Sequence, residues 1–191
     1  NNPFDPIVIS APPATELCFG EPLVTAVAVS GGTPPYTWVM TGGSLPPGVS
    51  FGSDGGFVGT PAAAGSYTFT VRAEDSAFVN RSQLSQTYTM NVYLPLSIAT
   101  TALPAAACGP TDTSVFYSFT FAATGGRPPL VWTVSGLPAG VAQAAAGSPE
   151  IGGMLSGPAV GQTVTTPVTV TVEDGNGRTA ARILQLTVSK F

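Results

Sequence analysis

The sequence has no histidine, and its 191 residues include only 6 basic and 10 acidic side chains. Histidine is the commonest general base, so its absence excludes the usual serine and cysteine triads and the usual zinc sites. The only adjacent carboxylate pairs are Glu74-Asp75 and Glu173-Asp174. Neighbours on a strand point to opposite faces, so neither pair is placed to flank a glycosidic bond. We therefore predict that the protein is not an enzyme and needs no cofactor.

Basic side chains are the scarcer of the charged residues, with 6 lysines and arginines against 10 acidic residues. The net charge is −4 and no cluster of lysine or arginine occurs, which argues against a nucleic-acid partner. No apolar run approaches the length of a membrane span, so we expect no membrane insertion. The single lysine, Lys190, excludes a Lys–Asn isopeptide bond within each of two domains. The chain begins at Asn1 without methionine or a leader, as expected of a processed protein or an excised fragment.

Two cysteines are too few for a disulfide framework. Cys18 and Cys108 occupy equivalent places in two repeats, and in domains stacked end to end they would lie too far apart for a bridge, which tolerates a Cα separation of roughly 7 Å. We predict two separate thiols with a structural role. The alternative is a cross-link between neighbouring molecules or to a folded-back partner domain.

The sequence contains an internal repeat. Residues 31–38 (GGTPPYTW) return as residues 125–132 (GGRPPLVW), and the segments downstream recur in the same order, LPPGV as LPAGV and VRAED as VTVED. A repeat of about 95 residues is long enough to close its own core, unlike the short units of solenoids. We therefore predict two copies of one domain, residues 1–94 and 95–191.

Apolar residues alternate with polar ones almost everywhere, as in strands with one buried face. Tyr67, Phe69, Val71 and Ala73 form one such row, and residues 168–172 form another. Roughly seven short strands per repeat, separated by glycine and proline, predict an all-β fold of two antiparallel sandwiches with essentially no helix. We expect Trp38 and Trp132, on the third strand of each set, to fill the space between the sheets.

The join between the predicted domains is the short apolar segment YLPL at residues 93–96. It contains proline and no glycine or serine spacer, so we expect it to restrict the motion of one domain relative to the other. The predicted pair is a semi-rigid rod.

These motifs resemble the tandem immunoglobulin-like domains of bacterial surface and secreted proteins, in the cadherin-like superfamily. That family's pattern is GGxPPYxW, then LPPGL, SGTP and TFTVxVxD. It is matched here by residues 31–38, 45–49, 59–61 and 67–75, and less closely in the second copy, where we take Ser156-Gly157-Pro158 as the SGTP turn. The resemblance implies two tandem immunoglobulin-like sandwiches and an extracellular, non-catalytic module used as a spacer or an adhesive unit.

Calcium is the metal that the sequence allows. Glu173, Asp174 and Asn176 cluster at a hairpin expected at the domain junction, and their oxygens suit a hard cation. The linker, however, carries no carboxylate, and Asp174-Gly175-Asn176-Gly177 is also typical of a tight turn with positive φ angles. We favour the turn.

Exposed aromatic side chains are candidates for stacking on sugars. Phe78 lies in a loop that is three residues longer in the first repeat than in the second, and Tyr93 is the second candidate. One loop aromatic is thin support for a binding platform. We expect Phe78 to pack against its own domain.

The amino-terminal segment, residues 1–6, is marked by two prolines and leads into an apolar strand near residues 7–10. Open sheet edges accept strands from other chains, so this segment is a candidate for strand exchange or a simple linker. We predict a non-catalytic prokaryotic protein, extracellular or at the cell surface. It would serve in a stalk or filament, with a protein partner or itself as partner. The alternative is a carbohydrate-binding accessory module of a secreted enzyme.

Overall fold

The computed structural model describes residues 6–11, 14–78 and 80–191. The chain divides into two compact units, Asn1–Leu94 and Pro95–Phe191. Every regular element in the described ranges is a strand, as the alternating pattern predicted. The described residues accordingly include no helix long and apolar enough to cross a membrane.

The described part of the first unit contains nine strands in two sheets and one short pair. The strands are β1 (Val8–Ala11), β2 (Glu16–Cys18), β3 (Leu23–Ala26), β4 (Ala28–Ser30), β5 (Thr37–Gly43), β6 (Val49–Phe51), β7 (Gly56–Gly59), β8 (Gly65–Glu74) and β9 (Gln83–Tyr93). The order β2-β9-β8-β5 forms a four-stranded sheet, β3-β7-β6 a three-stranded sheet, and β1 pairs with β4.

The second unit repeats this arrangement strand for strand. Its elements are β10 (Ser97–Ile98), β11 (Ala106–Cys108), β12 (Ser114–Thr120), β13 (Ala123–Thr124), β14 (Val131–Ser135), β15 (Val141–Gln143), β16 (Glu150–Ser156), β17 (Thr163–Glu173) and β18 (Thr179–Lys190). The corresponding orders are β11-β18-β17-β14, β12-β16-β15 and β10-β13. The repeat in sequence is therefore also a repeat in topology.

One pairing in each unit departs from the antiparallel prediction. The short strands β2 and β11 run parallel to the last strands of their units, β9 and β18. Each has only three residues, too few to show a periodicity, and so the sequence did not reveal them. Cys18 and Cys108 end these two strands, where Cys18 is half-buried, Cys108 is buried, and both are thiols.

The core of each unit lies between its two sheets. Trp38 and Trp132 are 6% and 5% exposed and lie on β5 and β14. In the first unit the indole contacts a chain of rings, with Phe51 and Phe57 at a centroid separation of 4.6 Å. In the second, Trp132 stacks on Phe121 at 6.0 Å. Both indoles are packing residues.

The outward faces of the four-stranded sheets carry pairs of hydroxyl groups across neighbouring strands. In the first unit the hydroxyl oxygens of Thr68 and Thr89 are 2.9 Å apart. Three further pairs have the same form: Thr70–Thr87, Thr163–Ser189 and Thr165–Thr187. Such cross-strand pairs stabilise a sheet without charge.

The structure corrects one correspondence between the repeats. Val49 pairs with Gly59, and Val141 pairs with Gly153. Gly153 therefore takes the place of Gly59, and Gly157, the glycine of Ser156-Gly157-Pro158, lies four residues further along the chain. The cause is that β16 continues to Ser156, whereas β7 ends at Gly59.

Candidate functional site

The loop of residues 75–82 joins β8 to β9 in the first unit. It begins at Asp75, whose side chain is only 3% exposed. The Asp75 carboxylate accepts backbone hydrogen bonds from Thr33 at 3.1 Å, Ser82 at 3.0 Å and Ala77 at 3.3 Å. One carboxylate thus joins both sides of the loop to the glycine-rich loop of residues 31–35.

These contacts set the pKa of the carboxyl group. Burial by itself raises the pKa of Asp75. The N–H groups of Thr33, Ser82 and Ala77 and the charge of Arg81 together lower it by more than burial raises it, so the pKa lies below its ordinary value of 3.8. Asp75 is thus an anion held by backbone donors, and it serves as the anchor of the loop.

Further contacts hold the base of the loop. The Ser76 hydroxyl donates to the carbonyl oxygens of Pro34, at 2.8 Å, and Thr33, at 3.1 Å. Arg81 and Glu74 form an ion pair at 2.9 Å. The base is therefore ordered by contacts on both flanks.

The tip of the loop exposes an aromatic ring. Phe78 is 101% exposed, so the expectation that it packs against its own domain is wrong. The carboxylate anchor faces inward and holds the base, which leaves the side chain of Phe78 in solvent. The residue that follows, Val79, lies outside the described residues.

This loop lies at the end of the sandwich where the chain enters, which we call the entry end. A Cβ placed on Gly32 would come within 2.8 Å of the Asp75 carboxylate and 3.1 Å of Ile7, the residue before β1. Tyr93 ends the long hairpin strand β9, about 30 Å from the loop at ordinary strand rise. The two predicted ligand contacts, Phe78 and Tyr93, therefore do not form one surface.

The second unit has the same anchor with a shorter turn. Asp174 is 6% exposed, and its carboxylate accepts hydrogen bonds from the backbone N–H groups of Arg127 at 3.1 Å, Asn176 at 2.9 Å and Arg178 at 3.0 Å. Burial alone raises the pKa of Asp174, but these donors outweigh it and the pKa is lowered.

The calcium candidates are arranged as a turn. Gly177 donates to the Asp174 carbonyl at 2.9 Å, and Asp174 donates to Arg178. Glu173 is exposed and ends β17, whereas the Asp174 carboxylate points at backbone donors. No cluster of three metal-ligating side chains occurs in residues 6–11, 14–78 and 80–191. The turn that we favoured accounts for the residues of this hairpin.

Sequence reasoning missed the role of the two aspartates. Each follows the last residue of an equivalent strand, in VRAED and VTVED. The signal was an acidic residue repeated at a strand end ahead of a turn, at a position where the alternation predicts a buried side chain. We interpreted Asp75 as half of a carboxylate pair and as the end of a family motif, and Asp174 as half of a pair, a calcium candidate and a turn residue, but neither as a buried anchor.

A family model described as "Putative Ig domain" matches residues 5–93. The first unit is an immunoglobulin-like domain of this family. The second domain shares its strand order and its buried aspartate, although the matched range ends before it. No curated protein matches the chain in sequence.

Solved structures share this architecture. The titin fragment I67–I69 is similar over 98% of this chain and 67% of its own, with a TM-score of 0.56 and 13% identity. The human desmocollin-1 ectodomain is similar over 100% of this chain and 42% of its own, with a TM-score of 0.53 and 12% identity. These similarities establish the fold of tandem immunoglobulin-like or cadherin-like domains.

A Bacteroides fragilis protein described as a putative alpha-galactosidase is also similar, with a TM-score of 0.40 and 21% identity over 48% of this chain. The chain spans about a fifth of the length of that protein, 19%. Immunoglobulin-like domains of this kind are generally non-catalytic structural or binding modules and are typically extracellular.

A shallow groove crosses the outer face of the three-stranded sheet of the second immunoglobulin-like domain. Its floor is formed by Ser118, Gly152 and Ala142, which lie side by side on β12, β16 and β15. Exposed Glu150 borders it, and the exposed pair Phe116 and Met154 follows along the same strands. The small floor residues make the groove, and the exposed ring of Phe116 lies beyond its lining, two residues from Ser118 on β12.

The anchors predict a dependence of stability on pH. Because the folded pKa values of Asp75 and Asp174 are lowered, their contribution is complete above the unfolded value of about 3.9 and is lost as pH falls through the lower folded values. Thermal unfolding followed by circular dichroism should show constant melting temperatures from about pH 7 to 5 and a decline below about pH 4. Melting temperatures that rise on acidification would contradict the assignment.

Proposed function

We propose that the chain is a load-bearing pair of immunoglobulin-like domains from an extracellular prokaryotic protein, such as a cell-surface stalk or filament. The observation that supports this role most directly is the parallel pairing of an early strand with the last strand in each domain. That pairing determines how a pull on the two ends of the chain would reach the hydrogen bonds.

In the first domain the early strand β2 and the last strand β9 run in the same direction. The chain enters β2 from the entry end and leaves β9 at Tyr93. Tension along the chain therefore slides β2 past β9 and loads their hydrogen bonds together. Antiparallel hairpin strands pulled from one end would instead lose their bonds one after another.

The bonds that resist this sliding are short. The Asn91 N–H donates to Thr15 at 2.7 Å, and the Phe19 N–H donates to the Tyr93 carbonyl at 2.9 Å. Side-chain contact adds to them, because the Asn91 amide donates to Glu16 at 3.1 Å. In the second domain Ala106, Ala107 and Cys108 are paired with residues 188–190 in the same parallel sense.

The amino-terminal strand also supports a spacer role over strand exchange. β1 pairs with β4 in its own domain, with Val8 opposite Ser30, and Ile7 is buried in the core of that domain. Residues 1–5 of the candidate exchange segment lie outside the described residues. Because β1 is already paired within its own domain, it is not needed by a neighbouring molecule, which favours domains that fold independently over strand exchange. The groove of the second domain, with the exposed ring of Phe116 beyond its lining, gives weaker support to carbohydrate binding.

Single-molecule force spectroscopy on the whole chain tests the proposal. Pulled from its two ends, it should give two separate unfolding peaks, each releasing about 30 nm of chain at about 3.6 Å per residue. The parallel pairs should make these peaks abrupt. Gradual extension without distinct peaks would contradict a load-bearing role.

A pair of substitutions at Phe19 isolates the hydrogen bond. Phe19→Pro removes the N–H that donates to Tyr93, whereas Phe19→Ser removes the same ring but keeps the donor. The unfolding force of one domain should fall in the proline variant relative to the serine variant, while the other peak stays unchanged. Equal forces in both variants would show that this pairing carries no load.

A further inference from the structure

We propose that Asn80 is the attachment site of an N-linked glycan, and that the first sugar of this glycan packs on the exposed ring of Phe78. The inference rests on the proposed extracellular role, because glycans of this type are carried by surface loops of secreted proteins. It gives a function to an aromatic ring that the first domain holds in solvent.

Residues 80–82 form an acceptor motif for N-glycosylation. They are Asn-Arg-Ser, and the motif is asparagine, any residue except proline, then serine or threonine. The chain has five asparagines, and none of the other four is followed two positions later by serine or threonine. A motif of three residues arises easily by chance, so it needs support from the structure.

The structure places the Asn80 side chain where a large enzyme can reach it. Asn80 is exposed in the loop of residues 75–82, and its φ angle of +60° is the only positive one among the described residues other than glycine. Asparagine adopts this left-handed conformation more readily than most residues with a side chain. Asn91 and Asn176 use their side chains in hydrogen bonds. The Asn80 side chain makes none within the part of the chain that the structure describes.

The loop is closed by the last residue of the motif. The Ser82 N–H donates to the Asp75 carboxylate at 3.0 Å, and the Asp75 N–H donates to the Ser82 carbonyl at 3.1 Å. The middle residue, Arg81, forms the ion pair with Glu74. These contacts use backbone groups and the Arg81 side chain, so a glycan on the Asn80 amide would break none of them.

Phe78 lies two positions before Asn80, within reach of a sugar attached there. Two residues of extended chain span about 7 Å at most, so a pyranose ring on the Asn80 amide can lie over the phenyl ring. The face of a pyranose that carries C–H groups is apolar, and packing it on an aromatic ring removes apolar surface of both from water. The Phe78 ring is fully exposed and is available for this contact.

The second domain has the corresponding loop without the motif. The backbone N–H of Arg178 donates to the carboxylate anchor there, as that of Ser82 does in the first domain. Arg178 therefore takes the place of Ser82, and Asn176 takes the place of Asn80. Arginine at this position is incompatible with the motif, and the shorter loop has no aromatic residue. The motif and the ring are present together in one domain and absent together in the other.

The attachment step is a substitution at the anomeric carbon of a donor sugar. The donor is an oligosaccharide linked through phosphate to a polyprenyl lipid, and a separate membrane-bound transferase catalyses the step. The Asn80 amide nitrogen forms a bond to the anomeric carbon while the bond from that carbon to the phosphate oxygen breaks. The electron pair of the broken bond leaves with the phosphate, which also takes up the proton lost by the amide nitrogen.

Mass spectrometry of the whole chain, recovered from the cells that naturally produce it, tests the attachment. Trypsin cleaves after arginine and should release residues 73–81 (AEDSAFVNR), and fragmentation should locate a saccharide on Asn80. Ser82→Ala should abolish the saccharide although it keeps the N–H that donates to Asp75. Ser82→Thr, which preserves the motif, should retain it.

The possible results separate this inference from the proposed function. An unmodified peptide from protein found outside the cell overturns the glycan and leaves the load-bearing role standing. A saccharide on Ser76 of the same peptide, with Asn80 unmodified, overturns it as well. Protein found only in the cytoplasm would overturn both proposals.

A comparison of four chains tests the contact with Phe78. The chain and its Phe78→Ser variant are each prepared with the glycan and, through Ser82→Ala, without it. Removing the ring should lower the melting temperature of the first domain by about 4 °C in the glycosylated chain, as expected of an aromatic packing contact. It should leave the melting temperature of the unglycosylated chain unchanged. An equal response in both forms would overturn the packing of the sugar on Phe78.

Discussion

Replacing Gly59 with alanine should destabilise the first domain by at least ~3 kcal/mol, a large part of the stability of a domain this size. Gly59 has a φ angle of +135°, which residues with a side chain rarely adopt. A Cβ there would also overlap the carbonyl oxygen of Gly48. Thermal or urea unfolding measures the effect, and the cooperative transition of the first domain should be lost or strongly shifted.

A matched glycine serves as the control. Gly42 lies on β5 of the same domain and is exposed, and a Cβ added there would have no other atom within 4 Å. Gly42→Ala should change the stability by about 0.5 kcal/mol or less. Gly153→Ala should repeat the large loss in the second domain, because Gly153 has a φ angle of +151° and lies against Gly140. Similar effects at Gly42 and Gly59 would mean that the close backbone approach is not required.

Asp75→Asn and Asp174→Asn should each lower the melting temperature of their own domain by roughly 10 °C. The asparagine amide keeps the shape but has one acceptor oxygen in place of two. At least one of the N–H groups of Thr33, Ala77 and Ser82 would then face another donor. In differential scanning calorimetry the transition of the substituted domain should move to lower temperature and separate from the transition of the other domain.

Glu74 and Glu173, each the neighbour of an anchor, provide the control. Glu173 is exposed and Glu74 pairs with Arg81 at the surface. Glu173→Gln and Glu74→Gln should change the melting temperature by no more than ~3 °C, as expected of surface charges. If these variants lost as much stability as the aspartate variants, general loss of negative charge, and not the buried hydrogen bonds, would be the cause.

Much of the fold was predictable, because a repeat and a period of two are long-range signals. The GGxPP and LPxGV motifs located the two copies, and the rows of residues 67–73 and 168–172 identified strands with one buried face. The outcome is an all-β fold of immunoglobulin-like domains. The buried indoles of Trp38 and Trp132 follow from the same alternation.

The features that bear on function were not predictable in the same way. β2 and β11 are defined by their partners β9 and β18, more than 70 residues away in the chain, and three residues carry no period. The orientation of Phe78 depends on the direction of the Asp75 side chain, which is set by its contact with Thr33, 42 residues away in the chain. The apolar character of Phe78 favoured burial, and the anchored loop overrides that preference.

The paired hydroxyl groups on the outer sheet faces, such as Thr68 with Thr89 and Thr165 with Thr187, have a consequence for the surroundings in which the protein can work. Neutral hydroxyl pairs neither titrate nor weaken as ions accumulate, whereas ion pairs at a surface are screened by salt. The cross-strand contacts on these faces should therefore persist from fresh water to brine, which would let the two domains keep their sheets intact in media of very different salt content.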